Sequence, residues 1–307
     1  MIELLPGVDQ TAISDALIQH GDVYLAPGIF PCTAPLRVPS GVYLHGPGTL
    51  RLVTDGVGYD ALTSENYPDP GGSDGAVIEH IRIDGNSAIM TGAGSSNVFY
   101  GSSKLRFLNV TIKNMAGTGL LARGTGIRAI GLRIEGCAVD GFCAYDGSLA
   151  YVRDCIAISN TGYGFALMGA EVDGQAAGAN GSIRGCEAAY NGTGIAALSD
   201  TYRSAIAGNL SHHNRDYGVL LAGLALTSEH NVNDVLVEGN HLSYNGLRNI
   251  MVGGAPGAFV DYATIIGNHC QDAPFDVEIN ARSRNTYGRA NRLRGGLLNN
   301  GTGTDWQ

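Results

Sequence analysis

Two neighbouring stretches decide how this chain folds: "LRIEGCAVDGFCAYDG" (132–147) and "YVRDCIAISNTGYGFALMG" (151–169). Each reads as an apolar alternating strand, a small ladder residue, a short polar turn, then glycine and another strand. Working outward, the same frame returns in "SIRGCEAAYNGTGIAALSD" (182–200), "AIAGNLSHHNRDYGVLLAG" (205–223), "VLVEGNHLSYNGLRNIMVGG" (235–254) and "TIIGNHCQDAPFDVEINA" (264–281). Upstream, "LRFLNVTIKNMAGTGLLARG" (105–124) fits as well. Seven units recurring at roughly 18 to 31 residues is a solenoid period. Alternation inside each unit is two-fold, so the units are strands and not helices. A single coil cannot bury its own apolar face, so stacking must supply the core. The expectation is an all-β, single-stranded, right-handed parallel β-helix.

One column of the repeat gathers Asn109, Cys137, Cys155, Cys186, Asn209, Asn240 and Asn268. Stacked asparagines can hydrogen-bond along the solenoid axis and satisfy turn backbone groups. A cysteine there is small and buries well, so three of the six cysteines are read as part of an inward stack. No C-x-x-C or zinc-like spacing supports the alternative of a metal or redox site.

The flanks complete a single domain over 1–307, with an N-terminal cap at 1–25 and a last coil with a loose tail at 282–307. Residues 9–20 predict a short amphipathic helix with Asp9 or Thr11 as N-cap, covering the open end. The longest insertions fall at 168–182, 223–234 and 253–263.

Composition narrows the function classes. The 307 residues carry 46 glycines without a Gly-X-Y period, and a net charge of −9. An acidic chain without a cationic run is a poor ligand for nucleic acid or anionic membranes. No window approaches 18 apolar residues, so no membrane span is expected. Residues 1–20 show no basic segment followed by an apolar run, so no signal peptide is read there. Acidic turns could hold Ca²⁺, but no Asp-x-Asp spacing or Gly-Gly-x-Gly-x-Asp repeat signals it. The expected cofactor set is therefore empty. Neither Gly-x-x-x-x-Gly-Lys-Ser/Thr nor Gly-x-Ser-x-Gly occurs, and "GAGSS" (92–96) reads as a turn cluster.

The opening "VYLAPGIF…LRVPSGVYLHGPGT" resembles the start of pectate-lyase-type β-helices. "HIRIDGNSA" (80–88), "VTIKNMAGTGLLARG" (110–124) and "DGFCAYDG" (140–147) resemble, in order and spacing, the catalytic module of mannuronan C5-epimerases, over about residues 20–280. The resemblance implies the pectate-lyase-like fold, a polysaccharide substrate and an extracellular setting. That family carries Tyr-Gly-x-Asp-Pro-His on one coil and an outward aspartate on the next. Here the tyrosine position falls on Thr118, the Asp and His on Leu121 and Arg123, and the next-coil aspartate on Tyr145. Sliding the motif onto "DGFCAYD" gives Asp140, Cys143 and Tyr145 and fits no better. These departures argue against ordinary mannuronan epimerase chemistry.

In the strand after each glycine, positions two and four point inward and three and five outward. The outward pairs are Leu121/Arg123, Cys143/Tyr145, Ala166/Met168, Ala196/Leu198, Leu220/Ala222 and Met251/Gly253, a largely apolar strip. Such a strip marks a groove or an interface. The plain alternative is that it is covered, by the long turns at 168–182 and 223–234 or by another subunit, which raises a homo-oligomer through this strand face as one expectation. Arg123 and Tyr145 fall on adjacent coils with Asp146 behind them. Arginine neutralises a carboxylate or oxyanion, and a tyrosine whose pKa is lowered by a neighbouring cation can move protons. Packing of Arg123 on the Tyr145 ring is the plain alternative. Arg123, Tyr145 and Asp146 are the catalytic candidates. Leu121, Asp140, Tyr163, Met168, Asp200, Arg203 and Tyr217 are the substrate-binding candidates. Tyr202, Glu171, Asp173, Glu229 and His230 lie in turns. The pair His212–His213 lacks a third metal ligand in the sequence pattern. The expected function is a carbohydrate-active lyase or epimerase removing a proton next to a carboxylate. A β-helix enzyme for a less polar small molecule and a non-catalytic, tailspike-like glycan binder are the alternatives.

Overall fold

A computed structural model describes residues 1–53, 60–88, 96–172, 175–223 and 231–307. Among them, three parallel sheets of 15, 11 and 11 strands wind as one β-helix, with a small antiparallel hairpin at Ala170–Val172 and Gln175–Ala177. One coil shows the path. Leu120–Arg123 lies in sheet I, Thr125–Ile130 in sheet II and Arg133–Glu135 in sheet III. The next coil repeats it with Phe142–Tyr145, Leu149–Arg153 and Ile156–Ile158.

Strict alternation turns each strand into a rung of the core. In sheet I, Leu120, Phe142, Phe165, Ile195, Val219, Ile250 and Val277 stack in register and are fully buried. Sheet III stacks Ile83, Ile112, Ile134, Ala157 and Ala188 in the same way. Each fully buried large aliphatic or aromatic side chain is worth about 1.5–3 kcal/mol, and the rungs add these terms coil by coil.

The glycine repeated at the start of five sheet I strands, at 119, 141, 164, 194 and 218, is a matter of close approach. A Cβ on Gly141 would lie 2.5 Å from the Gly164 carbonyl oxygen, and one on Gly164 would lie 2.6 Å from that of Gly194.

The corners carry two asparagine ladders where the sequence suggested one. At the II-to-III corner the backbone N–H of Cys186 donates to Asn209 Oδ1, and Asn209, Asn240 and Asn268 each pass backbone and amide N–H to the Oδ1 of the next asparagine, ending at Asn291. At the III-to-I corner Cys137 N–H donates to Asn160 Oδ1, and Asn160, Asn191, Asn214 and Asn245 continue the series. The single column of the sequence reading therefore needs correcting. Only Cys155 and Cys186 precede the first ladder. Cys137 heads the second. Asn109 sits one residue early, at φ 53, in the left-handed position that Gly131, Gly185 and Gly208 occupy in other coils. Asparagine tolerates that conformation, which is why it mimicked a ladder residue.

The helix α1 (Gln10–His20) closes one end as expected. Asp9 is its N-cap, its side chain accepting the N–H of Thr11 and Ala12 at 3.0 Å. Gly21 ends it at φ 70. Ile13, Ala16 and Leu17 are buried over the first coil. The C-terminal stretch is not loose. Asp305–Trp306 pairs with Tyr287–Gly288, and the Trp306 ring occupies the place of a Gly288 side chain, 2.1 Å from where its Cβ would be. All six cysteines are buried, and burial pushes the Cys32 and Cys137 thiols up to about 12.

Candidate active site

The outer face of sheet I divides into a packed part and an open part. Ala166, Ala196 and Leu198 are fully buried and Cys143 is 3 % exposed. They form a second apolar cluster outside the core, with Leu121, Tyr145, Tyr163, Met168, Leu220 and Ala222 packed against it. Over these residues the strip is thus buried within one chain, as the covered reading expected, and is not an open groove.

The open part is a cleft of about 320 Å³ lined by Tyr67, Pro68, Val98, Phe99, Tyr100, Leu121, Arg123 and Tyr145. Register places Tyr100 directly beside Arg123. The Arg123 guanidinium lies 4.2 Å from the Tyr100 ring centroid, a cation–π contact. Arg123 therefore stacks on the preceding coil and not on Tyr145. Its Nη2 also meets Asp146 Oδ2 at 2.8 Å, with the Asp146 side chain 5 % exposed. The other Asp146 oxygen, Oδ1, is buried without a hydrogen-bond partner. Burial pushes the Asp146 carboxyl up, and Arg123 only partly offsets this. Asp146 itself takes φ 47 at the corner leaving sheet I.

Tyr145 departs from expectation in its acidity. Burial comes first, Asp146 and Cys143 add to it, and together they raise its pKa despite the nearby Arg123 cation. The phenol is held protonated, so its chemistry is that of a proton donor.

Asp60 was missed. Its Oδ1 accepts the Ser96 N–H at 3.0 Å, and its side chain hydrogen-bonds the Tyr67 hydroxyl at the cleft wall. Burial pushes Asp60 up to about 6, and the two hydrogen bonds pull against it. Tyr67 and Tyr100 were missed as well. The pattern "NVFYG" (97–101) aligned on "LLARG" (120–124) would have put Tyr100 in the Arg123 column.

The remaining candidates do not converge on this cleft. Asp140 Oδ1 accepts the Tyr163 N–H at 2.8 Å, so Asp140 ties two coils together. Tyr163 begins its strand and Met168 ends it, about 16 Å apart along an extended chain. Only Met168 lies at the Tyr145 end, by direct register. Tyr217 is half-buried three coils beyond Tyr145, with Asp216, Glu278 and Arg248 acting on it. Asp200 is at the corner after its strand, at φ 50. Arg203 is on sheet II, exposed, and lines a different concavity with Tyr151 and Arg184. His212 reaches Glu187 at 3.3 Å, and His213 stacks between Tyr190 and Tyr244. Among the described residues no group of three His, Cys, Asp or Glu is disposed to hold a metal. Asp173, Glu229, His230 and residues 92–95 lie outside the described residues, as does the Glu171 side chain.

Coil geometry, corner ladders and a sheet I cleft define a class, and the chain belongs to it: the right-handed β-helix family, whose model, described as right handed beta helix region, matches residues 57–172 and 119–279. No curated protein matches the chain. Among solved structures it is similar to the A-module of a mannuronan C-5 epimerase of Azotobacter vinelandii, at 17 % identity and TM-score 0.71, covering 98 % of this chain and 96 % of that one. It is similar to the Dettilon tailspike protein at 14 % identity and TM-score 0.67, over 97 % of this chain and 68 % of that one. An alginate lyase from a Paenibacillus species matches at 14 % identity and TM-score 0.58, over 99 % of both chains. At these identities the likeness is one of fold.

Proposed function

We propose that the chain is a carbohydrate-active enzyme that works on an acidic polysaccharide at the Tyr67–Tyr145 cleft, as a lyase or epimerase. The observation that carries this reading is one guanidinium, Arg123, in a 320 Å³ cleft that three phenols, Tyr67, Tyr100 and Tyr145, also line. Removing the proton beside a uronate carboxylate needs a group to hold that carboxylate, a base and an acid. Arg123 is oriented by Asp146 and Tyr100 and keeps donors in hand for the carboxylate. Asp60 is the proton acceptor and is reached through the Tyr67 hydroxyl: burial and Asp60 raise the Tyr67 pKa, so it serves as a relay that hands its own proton to Asp60 as it takes the ring proton. Tyr145 returns a proton, to the opposite ring face in epimerisation or to the leaving glycosidic oxygen in elimination. Asp146 acts through Arg123 and is a positioning residue. The apolar-ligand alternative loses support because Ala166, Ala196 and Leu198 are packed side chains and not pocket walls.

The test is a panel of uronate polymers, alginate among them, followed by absorbance of the unsaturated product and by NMR of epimerised residues. Turnover is expected with the native chain. Arg123→Ala and Tyr145→Phe are each expected to lower it by about 100-fold or more. A native chain silent on every polymer, or variants that turn over at the native rate, would overturn the reading.

A further inference from the structure

The outer face of sheet III carries a different arrangement from the cleft. Register aligns Thr49, Arg82, Thr111 and Arg133 in one outward row across four successive coils. A second row beside it aligns Arg51, Asp84, Lys113 and Glu135. Between the row ends lies a concavity of about 490 Å³, lined by Thr49, Arg82, Asp84, Thr111, Lys113 and Arg133. The second row neutralises itself: Arg51 meets Asp84 at 2.9 Å and Lys113 meets Glu135 at 3.3 Å. Arg133 shares Glu135 at 3.2 Å. Four cations against two carboxylates leave two positive charges in excess, in a chain whose total is −9. Among the described residues Arg82, exposed in the middle of the concavity, has no carboxylate partner.

We infer that this row is a binding strip for an anionic polysaccharide lying along the solenoid axis. Guanidinium and hydroxyl alternate from rung to rung, so the two guanidinium groups stand two rungs apart, about 9.5 Å. That is close to the screening length in physiological salt, so they repel each other little. A single small anion would use one of them. A polymer with carboxylates and hydroxyls at regular intervals uses the whole row, and Ile29 and Ile156 close it at its two ends. The uronate identity of the polymer rests on the reading of the cleft, while the strip rests on its own geometry.

The experiment measures binding of the intact chain to polygalacturonate, to neutral dextran and to inorganic phosphate at several salt concentrations. Two variants are compared, Arg82→Ala/Arg133→Ala and Thr111→Glu. The second inserts a negative charge into the row without removing an ion pair. Binding to polygalacturonate is expected to weaken with salt and to fall about tenfold or more in both variants. Dextran is expected to bind no better to the native chain than to either variant. Unchanged polyuronate affinity in both correctly folded variants overturns the strip. So does phosphate competing as well as the polymer, which would mark a simple anion site. If the native chain binds polyuronate through the strip yet transforms no polymer, the cleft reading fails and the strip stands. If it transforms the polymer and the strip variants bind as the native chain does, the strip fails alone.

Discussion

Burial raises the pKa of both the Asp60 and the Asp146 carboxyl, and the two differ in their partners. Asp146 has a cation at 2.8 Å and one oxygen left without a partner. Among the described residues Asp60 has no cation beside it, and it is pushed up to about 6 by burial. The fold favours the neutral Asp60 carboxyl, so its contribution to stability is complete at pH values below the ordinary carboxylate pKa and is lost as pH rises through about 6. Asp60→Asn, a permanent neutral mimic, should gain thermal stability over the native chain between pH 5 and pH 8 and show no advantage at pH 4. Melting curves across that range would show it, and parallel pH profiles would count against the assignment. Arg123 and Tyr145 were legible because they sit on the repeating strands. Asp60, Tyr67 and Tyr100 were not, because they belong to coils whose connections are long and hide the period. The acidity of Tyr145 was misjudged for another reason: the sequence showed its cation but not its burial.

The ladders are the element that fixes the coil shape. Asn214 accepts the N–H and amide of Asn191 through Oδ1 and donates to Ala188 and Asn245. Asn214→Ala strips buried backbone groups of partners and should cost about 3 kcal/mol. Asn109→Ala, on the exposed left-handed corner, should cost about 1 kcal/mol. Urea unfolding of the two variants separates them, and equal costs would remove the ladder from the account of stability. Two-fold alternation and a period near one coil were enough to find the fold. The second ladder was not found, because Cys137, which heads it, was placed in the column of Cys155 and Cys186, and Asn160 was left without its partner.

For the whole molecule, nearest-neighbour stacking predicts graded protection. Hydrogen exchange should be slowest in the coils between Cys186 and Asn245, where core rungs and both ladders run together, and faster in the coils under α1 and Trp306. Uniform exchange along the solenoid would contradict this. The ladders also decide where the chain is free to vary. The II-to-III corner takes two residues in each coil from Gly131 to Asn291, and the III-to-I corner is short from Ser159 onward. Among the described residues, the connections that follow Met168 and Gly254 are longer, and both leave from the end of sheet I. That corner has no asparagine chain to interrupt and lies next to Arg123, Tyr145 and Asp146. Segments grafted there could rewrite what the protein recognises while the scaffold keeps its melting point, which makes this edge an exchangeable cassette.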